Sequence, residues 1–155
     1  MKKLIPFALL AAGAAVAQEN EKPVLVIAAA AAPGAAGGSV GVFREEGRLR
    51  YGISALVTAG DSWWAGGSLE ARWAFLQGPL TPYLGIGIGA FSVRRGGLDL
   101  GIQPVAAAET GLEFQRFFAG AKLLVPLSSR APGQQAHDVP GMSDPALLAQ
   151  LGLRI

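Results

Sequence analysis

The chain has 155 residues, 51% of them hydrophobic and 15% charged, with 13 Lys and Arg against 11 Asp and Glu and no cysteine. That length suits one domain, and the cysteine count excludes a disulfide framework, a thiolate metal site and a cysteine nucleophile. The net charge of +2 does not call for a nucleic-acid partner: Lys2 and Lys3 lie in a segment expected to be removed, and without them 11 cations balance 11 acids.

Met1-Lys2-Lys3 precedes an apolar stretch over residues 4–16 and the small-x-small run Ala15-Val16-Ala17. This is the pattern of a secretory signal peptide over 1–17, too short to span a bilayer comfortably, so the mature domain is expected to cover 18–155. Beyond it, no run of eighteen apolar residues suits a membrane helix. High apolarity without a helical span points to strands. Eight membrane strands of about 9–11 residues fit the remaining length.

Residues 23–32 and 39–45 carry the weakest strand patterns, and the alanines at 28–32 lack alternation and suit a helix as well as a strand. Over residues 48–58, Leu49, Tyr51, Ile53, Ala55 and Val57 fall on one face, with Arg48, Arg50, Gly52, Ser54 and Thr58 on the other; Leu56 alone breaks the polar face. Period two of this kind is what a strand needs when one face meets lipid and the other a polar lumen. It recurs over 63–75, where Leu69, Ala71, Trp73 and Phe75 oppose Ser68, Glu70 and Arg72. Next, Leu84, Ile86, Ile88 and Ala90 alternate with Gly85, Gly87 and Gly89. Glycines that pack nothing cost backbone entropy in a strand, so here they are expected to make room for large neighbours in a crowded lumen.

Residues 102–114 set Glu109, Gly111 and Glu113 against Ala108, Thr110, Leu112 and Phe114, and 117–127 set Lys122 against Ala119, Ala121, Leu123, Val125 and Leu127. The last run, 146–155, sets Leu147, Ala149, Leu151, Leu153 and Ile155 against Leu148, Gln150, Gly152 and Arg154. The count is eight, an even number that leaves both termini on one side. Short turns are expected at 46–47, 77–79 and 115–116 on the periplasmic side. Outer connections are expected at 33–38, 59–62, 94–101 and 128–145, the last two longer.

Aromatic residues cluster by strand end, as membrane barrels carry aromatic girdles at both interfaces. Phe43, Tyr51, Trp73, Phe75, Tyr83, Phe114, Phe117 and Phe118 fall near the periplasmic end, and Trp63, Trp64 and Phe91 near the other. Trp63 and Trp73 lie on one strand, about 33 Å apart along it and about 23 Å along the membrane normal at a tilt near 45°. An apolar band is about 25 Å tall.

Tyr83-Leu84-Gly85-Ile86-Gly87-Ile88-Gly89, with a strand running to the last residue, resembles the small outer-membrane barrels grouped as OmpA-, OmpX- and OmpW-like. The resemblance spans the mature chain and implies the fold: an all-β, up-and-down antiparallel transmembrane barrel of eight strands. It also implies export to the outer membrane with the barrel-assembly machinery as a partner during insertion. The family ends its last strand on an aromatic residue, where this chain has Ile155.

The inward charges Arg50, Glu70, Arg72, Glu109, Glu113, Lys122 and Arg154 imitate a catalytic constellation. A closed eight-stranded barrel is just wide enough to be filled by side chains, however, and buried charges need partners. Three acids and four bases there read as a structural network. His137, near Ser128, Ser129 and Asp138, sits in a Pro- and Gly-rich loop with no nucleophile at an ordered strand end, which argues against a hydrolase. Arg94 and Arg95, before Gly96 and Gly97, are a candidate contact for surface anions, the alternative being a solvated hairpin tip. Asp61, Asp99, Asp138 and Asp144 match no calcium loop. The sequence therefore leads to a non-enzymatic, monomeric barrel without cofactor or metal, surrounded by outer-membrane lipids. Its expected role is to stabilise the membrane and display loops; the alternative is a narrow channel or lateral route for small or hydrophobic molecules.

Overall fold

The computed structural model describes residues 23–76, 78–95, 98–127 and 144–155. Eight strands follow one another in chain order: β1 (Val24–Ala32), β2 (Ala35–Glu46), β3 (Leu49–Gly60), β4 (Ser62–Ala74), β5 (Leu80–Arg95), β6 (Leu98–Phe114), β7 (Phe117–Pro126) and β8 (Ala146–Arg154). Each pairs antiparallel with its sequence neighbours, and β8 returns to β1, closing the barrel. The seam runs from Val26 opposite Arg154 to Ala31 opposite Ala149. Leu25 and Ile155 exchange both backbone hydrogen bonds, at 3.1 and 2.8 Å. With no open edge, every strand's ladder is satisfied by another strand.

The alanine run is strand throughout. Its register, Ala28 opposite Ser39 to Ala32 opposite Ala35, shows why: β2 supplies the hydrogen bonds that a helix would have supplied locally. Two outer connections, 33–38 and 94–101, are shorter than expected, and of these only the second was expected to be long. β2 starts at Ala35, after a Pro33-Gly34 turn in which Gly34 adopts φ +72°. β5 and β6 extend to Arg95 and from Leu98, so most of 94–101 is strand. Hydrophobic alternation fades there because these residues rise past the apolar belt, while backbone pairing continues without it. The hairpin carries a β-bulge in which Leu100 and Gly101 face Val93, with Gly101 at φ +70°. The extra residue returns Leu100 to the lumen and bends the strand, as bulges do. Residues 128–143, with most of the expected fourth outer connection, lie outside the described residues.

Even strand parity sorts the side chains. Outward positions are apolar: Ile86 is 71% exposed, Ile102 69% and Leu151 65%. Inward positions carry the buried polar and charged residues together with the largest buried aromatics.

Candidate functional site in the barrel lumen

From the end that holds the termini, the lumen is built in layers. At the mouth, Arg50 of β3 pairs with Glu45 of β2 and Glu113 of β6, and Arg154 of β8 pairs with the same two acids, its Nη1 lying 3.1 Å from Glu113 Oε2. The four side chains close an alternating ring of two cations and two anions. Sequence reasoning missed Glu45, although Phe43 and Glu45 share the inward parity of Gly41.

The next layer is aromatic. Phe43, Tyr83 and Phe118 pack with Val26 and Ala28 as one buried cluster. The Arg72 guanidinium lies 4.3 Å from the Phe43 ring centroid and 5.8 Å from those of Tyr83 and Phe118, so its charge is held by ring faces as well as by acids. Glycines create the room: a Cβ on Gly120 would lie 2.7 Å from the Tyr83 hydroxyl oxygen, and one on Gly152 2.3 Å from the Phe118 ring.

Above it lies a second ionic group, formed by Glu70 and Arg72 of β4, Glu109 of β6 and Lys122 of β7, all buried. Lys122 pairs with Glu70 Oε1, and Arg72 reaches Glu70 Oε2 at 3.2 Å while also pairing with Glu109. The Ser68 hydroxyl donates to Glu70 at 2.7 Å, and the Ser54 hydroxyl donates to the same oxygen. Gly85 faces Glu109, and a Cβ there would lie 2.6 Å from the Glu109 Cγ.

The half of the lumen toward the other end is mainly apolar, with Thr58 and Gln103 as buried polar residues beside Trp64 and Phe91. Leu56, Trp64, Phe91, Val93, Leu100, Val105, Leu124 and Leu148 form a buried plug with Ala30 and Ala107, and Trp64 meets Phe91 edge-on at 6.3 Å between ring centroids. A cavity of about 260 Å³ lies at the terminal mouth beside Arg50 and Arg154. Another of about 470 Å³ lies at the opposite mouth, bordered by Ala32, Pro33, Asp61, Arg95 and Leu147.

The seven charges expected inside thus fall into two groups: Glu70, Arg72, Glu109 and Lys122 in the interior, and Arg50, Glu113 and Arg154 with Glu45 at the mouth. The aromatic expectation needs correction. Trp64 and Tyr83, expected in the girdles, are buried in the lumen, as are Phe43, Phe91 and Phe118. Neighbours on a strand face opposite ways, so Trp63 and Trp64 cannot share an interface, and Tyr83 has the parity of Gly85. Trp73, Phe75 and Phe117 are exposed near the terminal end, and Trp63 lies half-buried near the other. Outside the lumen, Arg94 pairs with Asp99 and Arg95 with Asp144, at 3.3 and 3.4 Å. Among the described residues no cluster of three or more His, Asp or Glu side chains is placed to hold a metal ion. Ser128, Ser129, His137 and Asp138 lie outside the described residues.

No protein-family model and no curated protein matches the chain. Solved structures do. Neisserial surface protein A superposes with a TM-score of 0.61 over 88% of this chain and 99% of that one, at 17% identity. The N-terminal β-barrel domain of Pseudomonas aeruginosa OprF superposes with a TM-score of 0.53 over 88% and 100%, at 19% identity. The chain has the fold of the small outer-membrane barrels. A third such barrel, described as the outer membrane enzyme PagL, superposes with a TM-score of 0.56 over 85% of this chain and 98% of that one, at 17% identity. At these identities the likeness extends to the barrel and not to what each barrel does.

Proposed function

We propose that this chain is a bacterial outer-membrane barrel with a side-chain-filled lumen, which stabilises the outer membrane and displays its outer hairpins. The carrying observation is the apolar plug, stacked on two ion-paired layers across the lumen. An exterior of exposed Ile, Leu and Val has no soluble counterpart on a monomer and suits a lipid surround. Membrane lipids are then the standing partner, and the assembly machinery the transient one. The reading is non-catalytic because each carboxylate of the two ionic groups is already neutralised by a cation. It is also monomeric, the sheet having no free edge to share.

One observation favours the alternative, a route for small or hydrophobic molecules. The cavity of about 470 Å³ touches both the lumen face at Ala32 and the outer face at Leu147, beside the β1–β8 seam. It ends against the plug, which favours the closed reading. Planar-bilayer recording separates the two: the expected result is a membrane without resolved conductance steps, and large, regular steps from the intact protein would overturn the plugged lumen. A Trp64→Ala/Phe91→Ala variant, which empties the plug, should raise the conductance of the same preparation.

A further inference from the structure

On the outer face of β4 and β5, Trp63 and Arg94 are cross-strand partners, with the guanidinium carbon 5.3 Å from the indole centroid. Arg94 is 61% exposed at its side chain, and its ion pair with Asp99 uses one guanidinium nitrogen, Nη2, at 3.3 Å. At 5.3 Å the indole attracts the guanidinium, which has five N–H donors and engages Asp99 through one nitrogen. Below the pair, the next two cross-strand pairs are Ala65 with Ser92 and Gly67 with Ala90. All four are small. A Cβ built on Gly67 would meet no side chain. Val57 pairs with Ala65 on one side and Ile102 with Ser92 on the other, Ala55 and Pro104 flank the Gly67–Ala90 pair, and Leu69 and Ile88 close the patch below. Val57, Leu69, Ile88 and Ile102 are all exposed. The wall thus has a recess of small residues, two strands wide at Ala65 and Ser92 and open toward β3 at Ala55, with a cation at its upper rim.

We propose that this corner binds one phosphate-bearing lipid of the surrounding leaflet, its phosphate on Arg94 beside Trp63 and an acyl chain in the Ala65–Ser92–Gly67–Ala90 recess. The inference rests on the membrane reading above and adds a specific ligand to it. Charge complementarity selects an anionic headgroup, since guanidinium donates charge-assisted hydrogen bonds to phosphate. An acyl chain is selected by the recess, which has no polar group other than the Ser92 hydroxyl. A lipid satisfies both requirements with one molecule.

The test starts from the barrel refolded into phosphatidylcholine vesicles, with insertion scored by the gel shift between unheated and boiled samples. Inserted protein is then extracted into a zwitterionic detergent and titrated with dimyristoyl phosphatidic acid, the bound lipid being read by native mass spectrometry. The expected result is retention of one phosphatidic acid, weakened about tenfold or more by Arg94→Gln and less by Arg94→Lys. Ala90→Leu, which fills the recess and leaves the cation, should also weaken retention, whereas Arg95→Gln should leave it nearly unchanged. Dimyristoyl phosphatidylcholine should be retained poorly. Equal retention of the two lipids, or equal retention by the native protein and Arg94→Gln, would overturn the site. Displacement by inorganic phosphate alone would overturn it too, as an adventitious anion contact. Failure to insert would overturn the membrane reading and this site together, whereas insertion with indifferent binding overturns only the site.

Discussion

Glu70 holds the most partners of any acid in the lumen: Lys122, Arg72 and the hydroxyls of Ser54 and Ser68. Removing its carboxylate by Glu70→Ala leaves a buried ammonium without its ion-pair partner, and one partner lost from a desolvated pair costs about 3–5 kcal/mol. Glu113→Ala at the mouth should cost far less, about 1 kcal/mol, because Arg50 and Arg154 reach solvent there and water replaces the lost oxygens. Urea refolding midpoints in lipid vesicles would compare them; equal shifts would mean that the interior group is as wet as the ring. A glycine supplies a packing test at the same scale. In Gly152→Ala the new methyl would collide with the Phe118 ring and the Ile27 carbonyl oxygen, at 2.3 and 2.6 Å. Overpacking of this kind costs about 1–3 kcal/mol. Phe118→Leu in the same chain should recover part of the loss, and no recovery would mean that the strain lies in the backbone.

At the scale of the strand, outward positions should respond to charge according to depth. Ile86, Ala108, Leu123 and Leu147 are successive cross-strand partners on β5, β6, β7 and β8, forming one row on the lipid face. Ile86→Arg and Leu123→Arg should each cost about 2–4 kcal/mol in bilayers, whereas Leu49→Arg, at the terminal end of β3, should cost about 0–1 kcal/mol. Reversible folding into vesicles measures all three. A uniform penalty would place the three residues at one depth and refute the strand midpoints used here. The β5–β6 hairpin behaves differently: its outer part is held by backbone pairing and the Arg94–Asp99 contact, not by the belt.

For the whole molecule, closure means that unfolding must break a ladder without a free edge. Unheated protein should therefore migrate apart from boiled protein on a gel and give a β-type circular dichroism spectrum, and a helical spectrum in detergent would refute the fold. The lumen is electrically balanced at this scale. With Glu45 included, the two ionic groups contain four acids and four bases, in two neutral sets at different heights.

The sequence by itself determined which way each side chain faces, and with it the barrel, because period two is a local property that lipid outside and a polar lumen inside impose strand by strand. Arg50, Glu70, Glu109 and Lys122 were therefore legible as inward from their neighbours. Tertiary structure decided which charge meets which, since the partners are remote: Arg50 meets Glu113 across 63 positions and Arg154 meets Glu45 across 109. Such pairings depend on how strands are staggered around the closed barrel, which no single segment encodes. The same closure left Phe43, Trp64, Tyr83, Phe91 and Phe118 as fillers of a narrow lumen, although their places near strand ends suggested interface anchors. Parity was the local signal that assigned them inward; packing decided that the space existed to receive them.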